Sequence, residues 1–157
     1  MEQATFAAGC FWGVEAAFRG VPGVHTTSVG YIGGMTANPT YNEVCAGTSG
    51  HAEATRVTFN PKEVSYAQLL QIFWQCHDPT QLNRQGPDVG TQYRSAIFFH
   101  SSEQQATASA SKAQQENGGQ HDQVIVTEIT ACATYHPAEE YHQQYLEKQG
   151  RAHCHKQ

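Results

Sequence analysis

The stretch TFAAGCFWGVEAAFRGVPGVHTTSVGY, residues 5–31, decides the fold. Thr5-Phe6-Ala7-Ala8 reads as a short buried strand that stops at Gly9-Cys10. Phe11 to Phe18 then reads as a helix, ended by Gly20 and Pro22. Val24 to Tyr31 has strand composition and stops at Gly33-Gly34. His51 to Phe59 alternates and is closed by Asn60-Pro61, so it is another strand. No full crossover helix fits between these two strands, which weakens the competing Rossmann-like parallel sheet. Further out, Tyr66, Leu69, Leu70, Phe73 and His77 mark one face of a helix over 65–77. Gln85 to Gly90 is a Gly/Pro loop. Ser95 to His100 is a strand, and Ser101 to Asn117 is a polar, Ala-rich helix stopped by Gly118-Gly119. Val124 to Ile129 is the last clear strand, and Ala138 to Lys148 is a helix after Pro137. The order is β-α-β-β-α-β, then α-β-α. Its first six elements match the split β-α-β, ferredoxin-like plan. The expected class is α/β (α+β): a two-layer sandwich with extra helices and a C-terminal tail.

The chain has 157 residues, enough for one domain over 1–157. Residues 149–157 read as a mobile tail. Charged residues are only 15%, and 17 glutamines supply much of the polar surface instead. The formal net charge is −5 and no basic run occurs, which argues against nonspecific nucleic-acid or anionic-membrane binding. No apolar run has the length of a membrane span, and Met1-Glu2-Gln3-Ala4 lacks the features of a signal peptide, so a cytoplasmic address is expected. Cysteines stand at 10, 45, 76, 132 and 154. An odd number, wide spacing and no CxxC fit reduced thiols, one or two of them chemically active, better than a disulfide framework.

Cys10 lies where a strand gives way to a helix. Free backbone N–H groups and the positive end of the helix dipole favour a thiolate there. A cysteine chosen blind is more often a buried structural residue. Here Gly9 leaves room for close backbone approach, and Phe11 and Trp12 are placed to wall an apolar pocket beside the sulfur.

Gly9-Cys10-Phe11-Trp12-Gly13 resembles the signature of the A-class peptide methionine sulfoxide reductases. Further matches follow in order: Gly30-Tyr31-Ile32-Gly33-Gly34, Tyr41-Asn42-Glu43-Val44-Cys45, Gly50-His51-Ala52-Glu53, Phe73-Trp74-Gln75-Cys76-His77-Asp78-Pro79-Thr80, Asp88-Val89-Gly90-Thr91-Gln92-Tyr93-Arg94-Ser95-Ala96-Ile97 and Tyr141-His142-Gln143-Gln144-Tyr145-Leu146. The resemblance spans nearly the whole chain. It implies reduction of the S epimer of methionine sulfoxide, free or in proteins, as repair of oxidative damage. It makes Cys10 the nucleophile, converted to a sulfenic acid as methionine leaves. Phe11 and Trp12 would grip the S-methyl group. Glu53 would be the acid, its pKa raised by an aromatic pocket. Tyr41 and Tyr93 match the two hydroxyl donors to the sulfoxide oxygen. Asp88 matches a further polar residue of the site, able to orient water or a tyrosine. His51 reads as structural, packing the turn before Glu53, ahead of a role as base.

A sulfenic acid must be cleared before it over-oxidises. Cys154, flanked by His153 and His155 in the tail, is the favoured resolving cysteine. Cys132, Cys45 or no resolving cysteine at all are the alternatives. The resulting disulfide would be reduced by thioredoxin. Neither a bound cofactor nor a metal is implied, and a monomer is expected. Three rivals compete with this reading. A non-catalytic binding protein would not need Cys10 followed by aromatics and a mobile second thiol. The lone His-Cys-His of the tail could suggest zinc, but paired ligand spacings are missing. A Cys/His hydrolase could use Cys10 with His51 or His136 as base, but Trp12 would crowd the thiol.

Overall fold

A computed structural model describes residues 1–47, 49–119 and 121–149. Strand β1 (Glu2–Ala8) leads into helix α1 (Phe11–Arg19), then strand β2 (Val24–Ile32), a short helix α2 (Tyr41–Cys45), strand β3 (Ala52–Phe59) and helix α3 (Tyr66–Gln75). Next come a two-residue-per-arm hairpin of β4 (Arg84–Gln85) and β5 (Asp88–Val89), a 3-10 turn over Thr91–Tyr93, strand β6 (Ser95–Phe99) and helix α4 (Ser102–Asn117). Strands β7 (Glu128–Ala131) and β8 (His136–Pro137), a 3-10 turn over Glu140–His142 and helix α5 (Tyr145–Lys148) complete the described chain.

The main sheet has the order β7-β6-β1-β3-β2-β8. Its inner four strands, β6-β1-β3-β2, pair antiparallel throughout. That is the ferredoxin-like arrangement expected from β-α-β-β-α-β. Strand β7 extends it by parallel pairing with β6, with α4 as the crossover. One sheet face carries α1, α3 and α4 over a core of Phe6, Phe18, Val57, Phe59, Leu69, Leu70, Phe73 and Ile97. Phe6 stacks on Phe18 and Phe73 at ring-centroid distances of 5.2 Å each. The other face is lined by Ala7, Ala52, Ala54 and Ala96 with Ile32 and Phe98, and Cys132 and Tyr135 pack against it. Small side chains let that covering segment approach closely. At Gly30 a Cβ would lie 2.5 Å from the His136 carbonyl oxygen and 2.7 Å from the Tyr135 ring.

Three expectations change. Residues 138–148 do not form one helix. Gln143 spends its side chain on the backbone of Val29 and Ala138, and Gln144 sits in left-handed backbone, φ 51. Side-chain bonds thus replace the helical ladder that would have satisfied this segment. The strand expected at Val124–Ile129 begins only at Glu128, because Ile125 turns into the core and the Val126 N–H donates to the Pro79 carbonyl. The expected loop at 85–90 contains the β4-β5 hairpin. Among the described residues, no helix is long and apolar enough to cross a membrane.

Candidate active site

β1 ends at Ala8, and Gly9 turns the chain with φ +94. A Cβ there would stand 2.8 Å from Gln85 Cγ. The Gln85 amide is itself locked to the backbone of Asp78 by two hydrogen bonds, so it cannot give way easily. Cys10 follows as the N-cap of α1, half-buried, and the Val14 N–H donates to its carbonyl oxygen. The first helical N–H, that of Phe11, is not open to a ligand: it donates to Glu53 Oε1 at 3.2 Å.

Glu53 comes from β3, opposite Tyr31 of β2, on the sheet face that α1 covers. It is 2% exposed. Burial pushes its pKa up to about 8, aided by the charge of Asp88 and opposed by the Phe11 N–H. At pH 7 roughly nine in ten copies therefore hold the proton. Its second oxygen, Oε2, is buried with no hydrogen-bond partner among the described residues. The strand thus presents a neutral carboxylic acid, anchored through one oxygen to the helix that begins at Cys10.

Tyr93, at the end of the 3-10 turn, lies within electrostatic reach of Glu53, Cys45, Asp88 and Cys10. Tyr41, the first residue of α2, is hydrogen-bonded to the Cys45 side chain and senses Glu53 and Tyr93. Burial, and then these neighbours, push both phenols well above their ordinary pKa, so both stay hydrogen-bond donors. Thr40 and Glu43 cap α2 reciprocally, and Glu139 takes the Tyr41 N–H and the Tyr31 hydroxyl on its two oxygens. Burial works against ionisation of Glu139, but these bonds outweigh it and hold its pKa below the usual value. The structure brings together Cys10, Glu53, Tyr41, Tyr93 and Asp88 as the sequence reading grouped them.

Phe11 and Trp12 divide the work expected of them. Phe11 is 1% exposed and packs with Val29, Tyr31, Val44 and Ala138, so it is the floor of an aromatic cluster. Trp12 stays half-buried. Its indole N–H donates to His142 Nδ1 at 3.0 Å, and its ring stacks on Tyr145 at 3.9 Å. His142 is fully buried and touches the rings of Phe11, Tyr41 and Tyr141 as well. Burial lowers its pKa despite Glu139, which keeps Nδ1 available as an acceptor. Tyr31 and His142 stand in matched motifs, but the parts that Tyr31, Glu139 and His142 play in the site escaped the sequence reading because their partners lie about a hundred positions away.

His51 is structural. Its Nδ1 accepts the Gly34 N–H and its Nε2 meets the Thr36 carbonyl at 2.7 Å, so neither nitrogen is available as a base. Cys76 is packed against the core, and burial raises its pKa to about 12. Cys45 is exposed; burial and the Glu53 charge raise its pKa against the Tyr41 hydroxyl bond. Cys132 sits on the other sheet face, its N–H on the Phe99 carbonyl and its sulfur 3.2 Å from Arg56 Nη2. Arg56 pairs across the sheet with Thr5 in the middle of β1, whereas Cys10 follows the end of that strand as the N-cap of α1, on the opposite face of the sheet from Cys132. Cys154, with the tail beyond Gln149, lies outside the described residues, as does the His-Cys-His motif. Among the described residues no group of three His, Cys, Asp or Glu is placed to hold a metal ion.

Residues 2–157 match the family model described as peptide methionine sulfoxide reductase. A curated relative from Geobacter sulfurreducens, peptide methionine sulfoxide reductase MsrA, is 58% identical over 154 residues, covering 98% of this chain and 95% of its own. The crystal structure of Mxr1 from Saccharomyces cerevisiae in reduced form superposes with a TM-score of 0.87 at 34% identity, covering 99% of this chain and 92% of that one. The structure of Mxr1 in complex with Trx2 gives a TM-score of 0.62 at 25% identity, over 92% and 84% of the two chains.

Proposed function

The chain belongs to the peptide methionine sulfoxide reductase family, and from that premise we propose which of its residues perform the reduction and how it is recycled. The observation that carries the assignment is Glu53. It is a buried, largely protonated carboxyl group beside the start of α1, with one oxygen anchored and the other uncommitted.

The S epimer of methionine sulfoxide, free or in a protein, enters with its methyl group against Trp12 and the Phe11 floor. Such an apolar grip discriminates by about 1–3 kcal/mol for a methyl-sized group. The sulfoxide oxygen takes hydrogen bonds from Tyr93 and from Tyr41, the latter exchanging its present partner Cys45 for substrate. Cys10 gives an electron pair to the sulfoxide sulfur while Glu53 delivers its proton to the oxygen. Oxygen passes to the Cys10 sulfur as a sulfenic acid, and the substrate leaves as methionine. Asp88, half-buried on its hairpin, raises the Glu53 pKa and so helps keep the acid protonated.

Cys154 then attacks the sulfenic sulfur. Water leaves and a Cys10–Cys154 disulfide remains. A thioredoxin dithiol reduces it by exchange, a reading supported by the relative captured with Trx2. The raised pKa of Cys45 and the remote position of Cys132 favour Cys154 over both of these cysteines. The reaction is proposed to run in the cytoplasm, in keeping with the odd, widely spaced thiols.

The test is a single turnover without reductant. Reduced protein is mixed with each sulfoxide epimer separately, and methionine and remaining thiols are counted. Release from the S epimer alone with two thiols lost is the expected result. Release with one thiol lost would remove the resolving cysteine, and release from neither epimer would overturn the assignment.

A further inference from the structure

Trp12, Glu15, Ala16 and Arg19 share one face of α1, and α5 lies across that face. Four residues cannot hold a helix by themselves, so α5 depends on what anchors it. Three anchors run along α1: the Tyr145 ring on Trp12, the Gln144 amide groups on Glu15, and an Arg19–Glu147 ion pair at 2.6 Å. The last is exposed and contributes little. Glu15, by contrast, is 1% exposed. One of its oxygens accepts the Gln144 N–H at 2.8 Å; the other accepts the Gln144 side-chain amide and the Thr27 hydroxyl, each at 2.8 Å. No cation lies within ion-pair distance of it among the described residues.

Gln144 occupies left-handed backbone that a non-glycine residue adopts only when its surroundings impose it. Its bonds to Glu15 supply that imposition and aim the next residue, Tyr145, at the indole. Beside the stacked pair the surface opens into a pocket of about 250 Å³ lined by Trp12, Glu15, Ala16 and Tyr145 among others. Among the described residues, close packing therefore does not fix the stack from this side; the polar anchor does.

We propose that Glu15 is a positioning residue for the sulfoxide pocket: through Gln144 it fixes Tyr145 on Trp12 and so sets the wall against which the substrate methyl group rests. This rests on the reading of Trp12 as that wall. Glu15 touches no substrate and carries no proton in the reaction. Its loss loosens the wall and weakens sulfoxide binding, leaving the chemistry of the bound complex in place.

The test uses the full chain in single-turnover methionine release across a range of sulfoxide concentrations, together with indole fluorescence over the constant background of Trp74. Glu15→Gln is expected to raise the half-saturating concentration about tenfold while the limiting rate stays within about twofold, and to shift the Trp12 emission. Tyr145→Leu should give a similar rise, and the double variant no more than the larger single effect. An unchanged half-saturating concentration in folded Glu15→Gln, or a loss confined to the limiting rate, overturns the proposal. If Glu15→Gln does not fold, Gln144→Gly carries the test: glycine accepts the left-handed backbone but lacks the side-chain amide, and a several-fold rise is expected where no change would overturn it. Trp12→Leu separates the two levels. If it leaves half-saturation unchanged, the pocket reading fails; if it raises it while Glu15→Gln does not, only the role of Glu15 fails.

Discussion

Glu53→Gln should gain stability relative to the wild type as pH rises and be nearly inactive, and both effects can be sized. The ordinary glutamate value is 4.5, and burial raises it to about 8 in the folded chain. The unfolded state therefore binds fewer protons between those values, and stability falls as pH rises through that window. Below about pH 4.5 the group is neutral in both states and exacts nothing; above about pH 8 the full cost of a buried charge is present. Between about pH 5 and about pH 8.5 the cost grows by nearly three pKa units' worth, or roughly 3–4 kcal/mol. Glutamine keeps an oxygen for the Phe11 N–H but does not titrate. The stability difference between variant and wild type, from urea unfolding, should thus widen by roughly that amount between the two pH values. Leaving the new amide NH₂ without a partner costs about 1–3 kcal/mol at every pH, so the slope, not the offset, is the diagnostic. Turnover should drop about 10²–10⁴-fold at neutral pH, the usual contribution of a general acid. A pH-independent stability difference, or a variant with full activity, would refute the reasoning.

Gly9→Ala must place a Cβ 2.8 Å from Gln85 at φ +94; urea unfolding should show a loss of roughly 2–4 kcal/mol, with a fall in single-turnover rate as Cys10 shifts. Tyr93→Phe and Tyr41→Phe each remove one donor to the sulfoxide oxygen and should slow single-turnover release about tenfold or more at saturating substrate, with the Glu53-dependent pH profile retained. Cys154→Ser should still release one methionine per enzyme yet stall with thioredoxin, whereas Cys132→Ser should cycle normally; steady-state assays with thioredoxin decide both.

The inner sheet was legible because its strands alternate or run apolar between Gly and Pro stops, and because β2 and β3 follow each other too closely for a crossover. The place of Cys10 between strand and helix was legible too. Helix α2 had a readable signal, the Thr40-to-Glu43 capping box, but it is short and lacks an apolar period. The segment after Pro137 misled because its apolar residues suit a helix, while Gln143 and Gln144 find better partners on β2 and α1 than in their own backbone. The same long reach hides what His142 does, although it stands in a matched motif: its bond to Trp12 spans 130 positions, and no local pattern encodes that bond.

The central claim is that the oxygen leaving the substrate arrives on Cys10. Cys154→Ser protein, given one equivalent of the S-sulfoxide in the presence of a cyclic 1,3-diketone that traps sulfenic acids, tests it directly. Peptide mapping should find one adduct, on the peptide carrying Cys10, in proportion to the methionine released. Methionine released without that adduct, or with the adduct on Cys45, Cys76 or Cys132, would contradict the account.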